Sequence, residues 1–202
     1  AASDVYKRQD YDIRTPTQVA TVLRLADVWE TFAPGRDQTT VDQSRRYVDI
    51  HVPDGEPDIL QQIEHGAIGL LAQHRAVGHA IPGIIVPDLS QYTHLGDAVT
   101  MTDNLIYDPA LREDQQKGSF SGKPDDRWAF TSRSTALNYG SAAALAASAR
   151  VLKAFRPALS AECLATAEKV WKEEQMKEPD LFRSGNTSGG IPEVEKLRAA
   201  LE

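Results

Sequence analysis

Apolar residues recur at helical spacing in five windows of this chain. Val19, Val22, Leu23, Ala26 and Trp29 fall on one face of a helix expected over residues 16–33. Thr15 and Gln18 have the spacing of a capping box, Pro16 suits a first helical position, and Pro34-Gly35 supplies a stop. Ile59, Leu60, Ile63, Ala67, Leu70 and Leu71 predict a second helix over 57–76. Residues 134–155 are rich in alanine, and small side chains on every face predict a helix packed by neighbours on several sides. Pro157 breaks that helix. Ser160 is the expected cap of the next, over 160–176, with Cys163, Leu164, Ala167, Val170 and Trp171 facing inward. A fifth helix is expected over 192–202, after the polar, glycine-bearing stretch from Ser184 to Gly190.

Between these windows the pattern changes. Tyr47 to Val52 reads as a short strand, and Asp54-Gly55 as a turn. From His79 to Thr131 prolines and glycines interrupt every periodicity. A stretch that long is functional or disordered. Ile84-Ile85-Val86 and the aromatics Tyr92, Tyr107, Phe120, Trp128 and Phe130 argue against disorder, so a structured surface wall is expected. No fixed-period repeat is present, and the pattern as a whole predicts an all-α fold.

Composition narrows the function classes. The 202 residues suffice for one domain with a real core, and the net charge of −7 excludes a protein that tracks nucleic-acid phosphates. No apolar run approaches the roughly 20 residues that span a bilayer. The single cysteine, Cys163, reads as a small buried residue on a helix and not as a nucleophile. Five histidines form no metal signature, His74 and His79 being on different helix faces. Gly189-Gly190 follows no strand and reads as a turn, not a phosphate loop. The first nine residues, Ala1 to Gln9, resemble the translation of a transposon sequencing adapter, which places the authentic start at Asp10. The last residues, Leu197 to Glu202, stop inside a helical pattern with no cap, so truncation at both ends is expected.

Two weak chemical signals remain. Asp10 and Asp12 lie just ahead of the first helix, whose N-terminus favours an ionised carboxylate, as a base acting on water needs. The stretch Asp88 to Asp103, with Tyr92, His94, Asp97 and Asp103, mixes flat aromatic faces with polar groups, as sugar clefts do. Asp125-Asp126-Arg127-Trp128 has the same mixture. Anchoring the wall to the helices is an equally good use for those aromatics.

Four stretches, in order, resemble one family. Asp10-Tyr11-Asp12-Ile13-Arg14-Thr15-Pro16-Thr17-Gln18 is similar to the segment that opens at the last aspartate of the Asp-(Ala/Gly)-Gly-Asp motif of glycoside hydrolase family 9. Pro57-Asp58-Ile59-Leu60-Gln61-Gln62-Ile63-Glu64-His65-Gly66 resembles its Pro-Asp-(Ile/Leu)-Leu helix, with His65 where tryptophan is usual. Thr131 to Tyr139 followed by Ala142 to Leu152, and Ala161 to Trp171, resemble two further helices of the family.

The resemblance implies a partial (α/α)6 barrel from residues 10–202, the N-terminal and middle part of a catalytic domain. It implies inverting hydrolysis of β-1,4-glucosidic bonds in cellulose-like glucans, with Asp10 as general base. The acid glutamate would lie beyond this chain, which alone would be inactive. Tyr92, His94, Arg127 and Trp128 are the substrate-binding candidates. No cofactor or metal is implied; a structural calcium is compatible with the family and not predicted from this segment. The partner would be a β-1,4-glucan or related oligosaccharide, with no nucleic acid and no membrane. The parent protein would be secreted or periplasmic, its signal peptide upstream. Two other readings stand beside this one: an exo-acting β-glucosidase or glucosaminidase on the same fold, and a non-catalytic helical interaction domain.

Overall fold

The computed structural model of the chain describes residues 13–42, 44–45, 47–85, 103, 105–126, 128–182 and 189–202. Its first elements are β1 (Ile13–Arg14), α1 (Thr15–Phe32), β2 (Thr40–Asp42), β3 (Tyr47–Asp49), α2 (Asp58–Val77) and β4 (Gly83–Ile85). Four short strands follow, β5 (Ile106–Tyr107), β6 (Gln116–Lys117), β7 (Phe120–Ser121) and β8 (Trp128–Phe130). Three helices complete the order, α3 (Thr135–Leu152), α4 (Pro157–Gln175) and α5 (Pro192–Leu201). The expected adapter segment, Ala1 to Gln9, lies outside the described residues.

The chain divides into two units. One, Thr15–Ile81 with Ser132–Glu202, holds all five helices. In it α3 touches each of the other four. Every residue of α3 but Ala146 and Arg150 is buried. Alanine, glycine and serine side chains let neighbours close in, and Leu137, Leu145 and Leu152 fill the remaining space. The expected stripes of α1 and α2 supply the opposing walls, with Val22, Leu23, Ile63, Leu70 and Leu71 buried and Ile59 and Trp29 at the margin.

Three expectations about helix ends and faces need correction. Thr15 lies within the first turn of α1, and its hydroxyl donates to Gln73 Oε1 on α2 over 3.2 Å. Gln18 is occupied there too, accepting from Gln73 Nε2 at 3.3 Å. Second, α4 begins at Pro157 and not at Ser160. Proline fits a first helical position because its φ is preset and no N–H is needed there. Ser160 instead sits inside α4 and donates its hydroxyl to Ala149 O at 2.6 Å, tying the turn to α3. Third, Leu164 is 49% exposed; the buried face of α4 runs through Ser160, Cys163, Ala167, Val170 and Glu174.

The α1–α2 connection is a small hairpin. β2 and β3 pair antiparallel, with Val41 opposite Val48, so the expected strand is shorter than 47–52. Carboxylates cap its loose backbone: Asp37 accepts from the amides of Asp54 and Gly55, and Asp58 from those of Gln38 and Thr39. Gly55 takes a φ of 90° in the expected turn. Arg156, between α3 and α4, reaches Glu56 at 2.7 Å and Glu64 at 3.0 Å.

The other unit comprises Ala1–Arg14 and Pro82–Thr131. Its described part is not strandless, as the sequence pattern suggested. β4 is the middle of a three-stranded sheet, flanked antiparallel by β1 and β8. β7 is the middle of a second, paired with β5 and β6. Strands of two or three residues make local staples and not a central sheet. Among the described residues no helix is long and apolar enough to cross a membrane.

One glycine tests the helix packing. A Cβ built on Gly66 of α2 collides with Cγ2 of Val22 on α1. Gly66→Ala gains helix propensity of about 1 kcal/mol, yet overpacking costs typically 1–3 kcal/mol. We expect a net loss of stability, read as a lower urea midpoint with an unchanged m-value.

Candidate functional site

The β1-β4-β8 sheet determines which distant segments meet. Ile13 pairs with Ile84 and Arg14 with Gly83, while Ile85 pairs with Trp128 and Gly83 with Phe130. β1 and β8 both run opposite to β4. The starts of β1 and β8 and the end of β4 therefore lie at the same end of the sheet. Asp10 precedes β1 by three residues, Arg127 immediately precedes β8, and Tyr92 and His94 follow β4. So the strand ends that border the three candidate-bearing stretches in sequence lie together at one end of the sheet. The close approach depends on Gly83, where a Cβ would run into Ile13 O.

Asp10, Tyr92, His94 and Arg127 themselves lie outside the described residues, and of Trp128 the backbone alone is described. The register fixes the entry points of their segments, and no contact among the five follows from it.

Carboxylates hold the neighbouring loops. Asp126 Oδ2 accepts from Tyr107 N at 2.7 Å, pinning the approach to β8 onto β5. Asp103 accepts from the Ser121 hydroxyl and from Leu105 N, and the Ser121 bond, first of several causes, lowers its pKa. Asp125 differs. It is 5% exposed, and neither of its carboxylate oxygens accepts a hydrogen bond. The Lys123 ammonium is 3.2 Å from Oδ2, close enough to balance charge but out of line for a hydrogen bond.

In the helical unit a second buried carboxylate is fully engaged. Glu174 of α4 accepts from Thr135 Oγ1 at 2.9 Å and Asn138 Nδ2 at 2.8 Å, and pairs with Lys177 at 2.8 Å and Arg133 at 3.4 Å. Asn138 Oδ1 in turn accepts from Ala80 N. The sequence carries no signal for this role, since a glutamate in Lys172-Glu173-Glu174 looks like any solvated helix charge.

The two histidines five residues apart are both hydrogen-bonded. His74 Nε2 is 2.9 Å from Ser141 Oγ, whose hydroxyl donates to Asn138 O, so the ring nitrogen is the donor. His79 Nδ1 is 2.9 Å from Ala80 O. Among the described residues no group of three or more His, Cys, Asp or Glu side chains is placed to hold a metal ion. Cys163 is fully buried, and desolvation pushes its thiol up to about 12, which suits the inert core role.

Solved structures share this architecture. A metagenome-derived glycoside hydrolase family 9 endoglucanase superposes with a TM-score of 0.59 at 20% identity, covering 95% of this chain and 30% of its own. A mutant thermostable endoglucanase from Alicyclobacillus acidocaldarius gives 0.61 at 19% identity, over 95% of this chain and 32% of its own. AaCel9A, solved with cellobiose-like isofagomine, gives 0.58 at 21% identity over the same shares. The chain thus spans about a third of the length of these structures. No curated protein sequence matches it. The fold is that of an all-α glycosidase, part of an (α/α)6 barrel. The model of glycosyl hydrolase family 9 matches residues 53–191, and the chain belongs to that family.

Acid stability offers a check on the buried polar groups. Desolvation, helped by the charges of His79, Lys169 and Arg133, brings the pKa of His74 from 6.5 down to about 4. The unfolded chain therefore takes up this proton first as pH falls. The His74 contribution is whole above about pH 6.5 and is lost as pH drops toward 4. Between pH 7 and 5 it amounts to about 2 kcal/mol. In denaturant titrations at the two pH values, His74→Gln should show a smaller acid loss than the unsubstituted protein.

Proposed function

We propose that this chain is the N-terminal and middle part, residues 10–202, of an enzyme that hydrolyses β-1,4-glucosidic bonds of cellulose-like glucans with inversion. The observation that carries the reading is the sheet register. It brings to one end of a sheet the start of β1, the end of β4 and the start of β8, the strand ends nearest in sequence to Asp10, to Tyr92 and His94, and to Arg127 and Trp128. Membership of glycosyl hydrolase family 9 supports the bond type, and the likeness to endoglucanase structures supports a chain-cleaving mode. The neighbour holding a cellobiose-like isofagomine supports an oligosaccharide ligand.

In this reading Asp10 takes a proton from the attacking water. Asp10 acts in its ionised form, the form a base working on water needs. Tyr92 and Trp128 offer flat faces to the sugar rings, and His94 and Arg127 hydrogen-bond their hydroxyls. No cofactor takes part. Inversion needs a second carboxyl group about 6.5–9.5 Å from the base, leaving room for the water. We place that acid in a part of the enzyme beyond residue 202, so that the 202 residues alone do not hydrolyse glucan. The parent enzyme is secreted or periplasmic, where its polymer substrate is met.

The test uses a soluble β-glucan and two proteins: this chain, and the longer product of the same gene. The longer enzyme should release reducing ends, and Asp10→Asn should lower its kcat by about 10²–10⁴-fold, the usual worth of a general base. This chain should release none. Full activity in the Asp10→Asn variant would remove Asp10 from its role, and turnover by the 202 residues would remove the missing acid.

A further inference from the structure

A buried carboxylate without hydrogen-bond donors is an anomaly that needs a physical explanation. Desolvating an ionised group costs several kcal/mol unless its lone pairs are used. Asp125 carries that cost with both oxygens unused by hydrogen bonds. Its backbone is nevertheless well fixed. Asp125 N donates to Lys123 O at 3.0 Å, and the next residue, Asp126, is bonded to Tyr107 N. The carboxylate is thus held by its neighbours and does no holding itself. It also stands three residues ahead of Trp128, the first residue of β8.

A cation explains it poorly. The described residues bring no third carboxylate or histidine into ligand position, and the Lys123 ammonium already supplies the positive charge at 3.2 Å. Neutral donors explain it better. Two carboxylate oxygens on one rigid carbon match two adjacent hydroxyls, and hydrogen bonds to a charged acceptor are the strong kind. Every interior unit of a β-1,4-glucan presents such a pair, its 2- and 3-hydroxyls.

We propose that Asp125 is a substrate-binding residue whose two oxygens accept the vicinal 2,3-hydroxyls of a glucosyl unit, with Lys123 balancing its charge until the sugar arrives. The Lys123 side chain is 54% exposed, so it is free to swing away as the hydroxyls enter. This rests on the glucan reading above and adds to it a residue and the sugar atoms that residue meets.

The inference makes an unusual demand. A structural aspartate loses stability when changed to asparagine, because its donors are left facing an amide. Asp125 has no such donors to lose, so Asp125→Asn should leave the thermal midpoint of the ligand-free protein unchanged or raised. Binding of cellotetraose to this chain, followed by calorimetry, should weaken by roughly 10–100-fold, the worth of one or two charge-assisted hydrogen bonds. The same substitution in the longer enzyme should raise KM for soluble β-glucan with little change in kcat. A tetrasaccharide lacking the 2-hydroxyls should bind the unsubstituted protein and the Asp125→Asn variant with nearly equal affinity.

A lowered midpoint in Asp125→Asn would make Asp125 structural and overturn the proposal. So would unchanged cellotetraose affinity, or no binding by the unsubstituted chain. If the longer enzyme cleaves glucan and Asp125→Asn cleaves it with the same KM, the inference fails while the glucanase reading stands. If the longer enzyme cleaves no glucan, that reading fails first.

Discussion

The helical unit depends on α3 being narrow. A helix that touches four others must bury nearly its whole circumference, which a helix of large side chains cannot do at native packing density. Sixteen of its eighteen residues are buried, and most of those are Ala, Ser, Gly or Thr. Small side chains bring the neighbouring backbones close, at the cost of little burial per residue. The large apolar area therefore comes from the partners, through Val22, Ile63, Leu70, Leu71 and Val170, all buried in the same core cluster as α3. Gly66 makes the same bargain where α1 and α2 meet.

Close backbones leave little room for water, so polar groups near the start of α3 must find partners within the protein. Glu174 is the answer on one side. A buried glutamate would ordinarily be a liability, but here two side-chain donors and two cations surround it. Asn138 passes the network on to the chain leaving α2, and Gln73 joins that chain to the beginning of α1. The ends of four helices, α1 to α4, are thus joined by side-chain amides, hydroxyls and one carboxylate.

Much of this is legible in the sequence, and the failures have physical reasons. Helical windows declare themselves because a 3.6-residue period over eighteen residues is a strong signal. Local rules misplace the caps at Thr15 and Ser160, where each competes with a tertiary bond to a residue that no local rule can locate. Leu164 reads as inward because it is apolar, although it sits about 100° around the helix from Cys163. Strand pairing is invisible. Nothing in Ile13-Arg14 announces Gly83 and Ile84 some seventy residues on, and pairs this short carry no alternation to read. Of the expected site, the order of the segments is legible and the register of the strands that border them is not. That register brings the start of β1, the end of β4 and the start of β8 to one end of a sheet.

Glu174 and Asp125 put the division between scaffold and site in electrostatic terms. Both are carboxylates at least nine-tenths buried. Glu174 is well supplied: Oε2 accepts from Thr135, and Oε1 accepts from Asn138 and pairs with Lys177 and Arg133. Its carboxylate works within the fold. Asp125 has the opposite arrangement, a fixed backbone and a charge balanced by one flexible lysine, with its acceptors unspent. Apart from its ion pair with Lys123, such a group makes no hydrogen bond that would tie one element to another. Rigid scaffolds tolerate a few such costs where recognition occurs, because acceptors already in place need no reordering when a ligand binds. That asymmetry, more than the choice of residue types, separates a carboxylate that ties helices together from one that accepts no hydrogen bond within the fold.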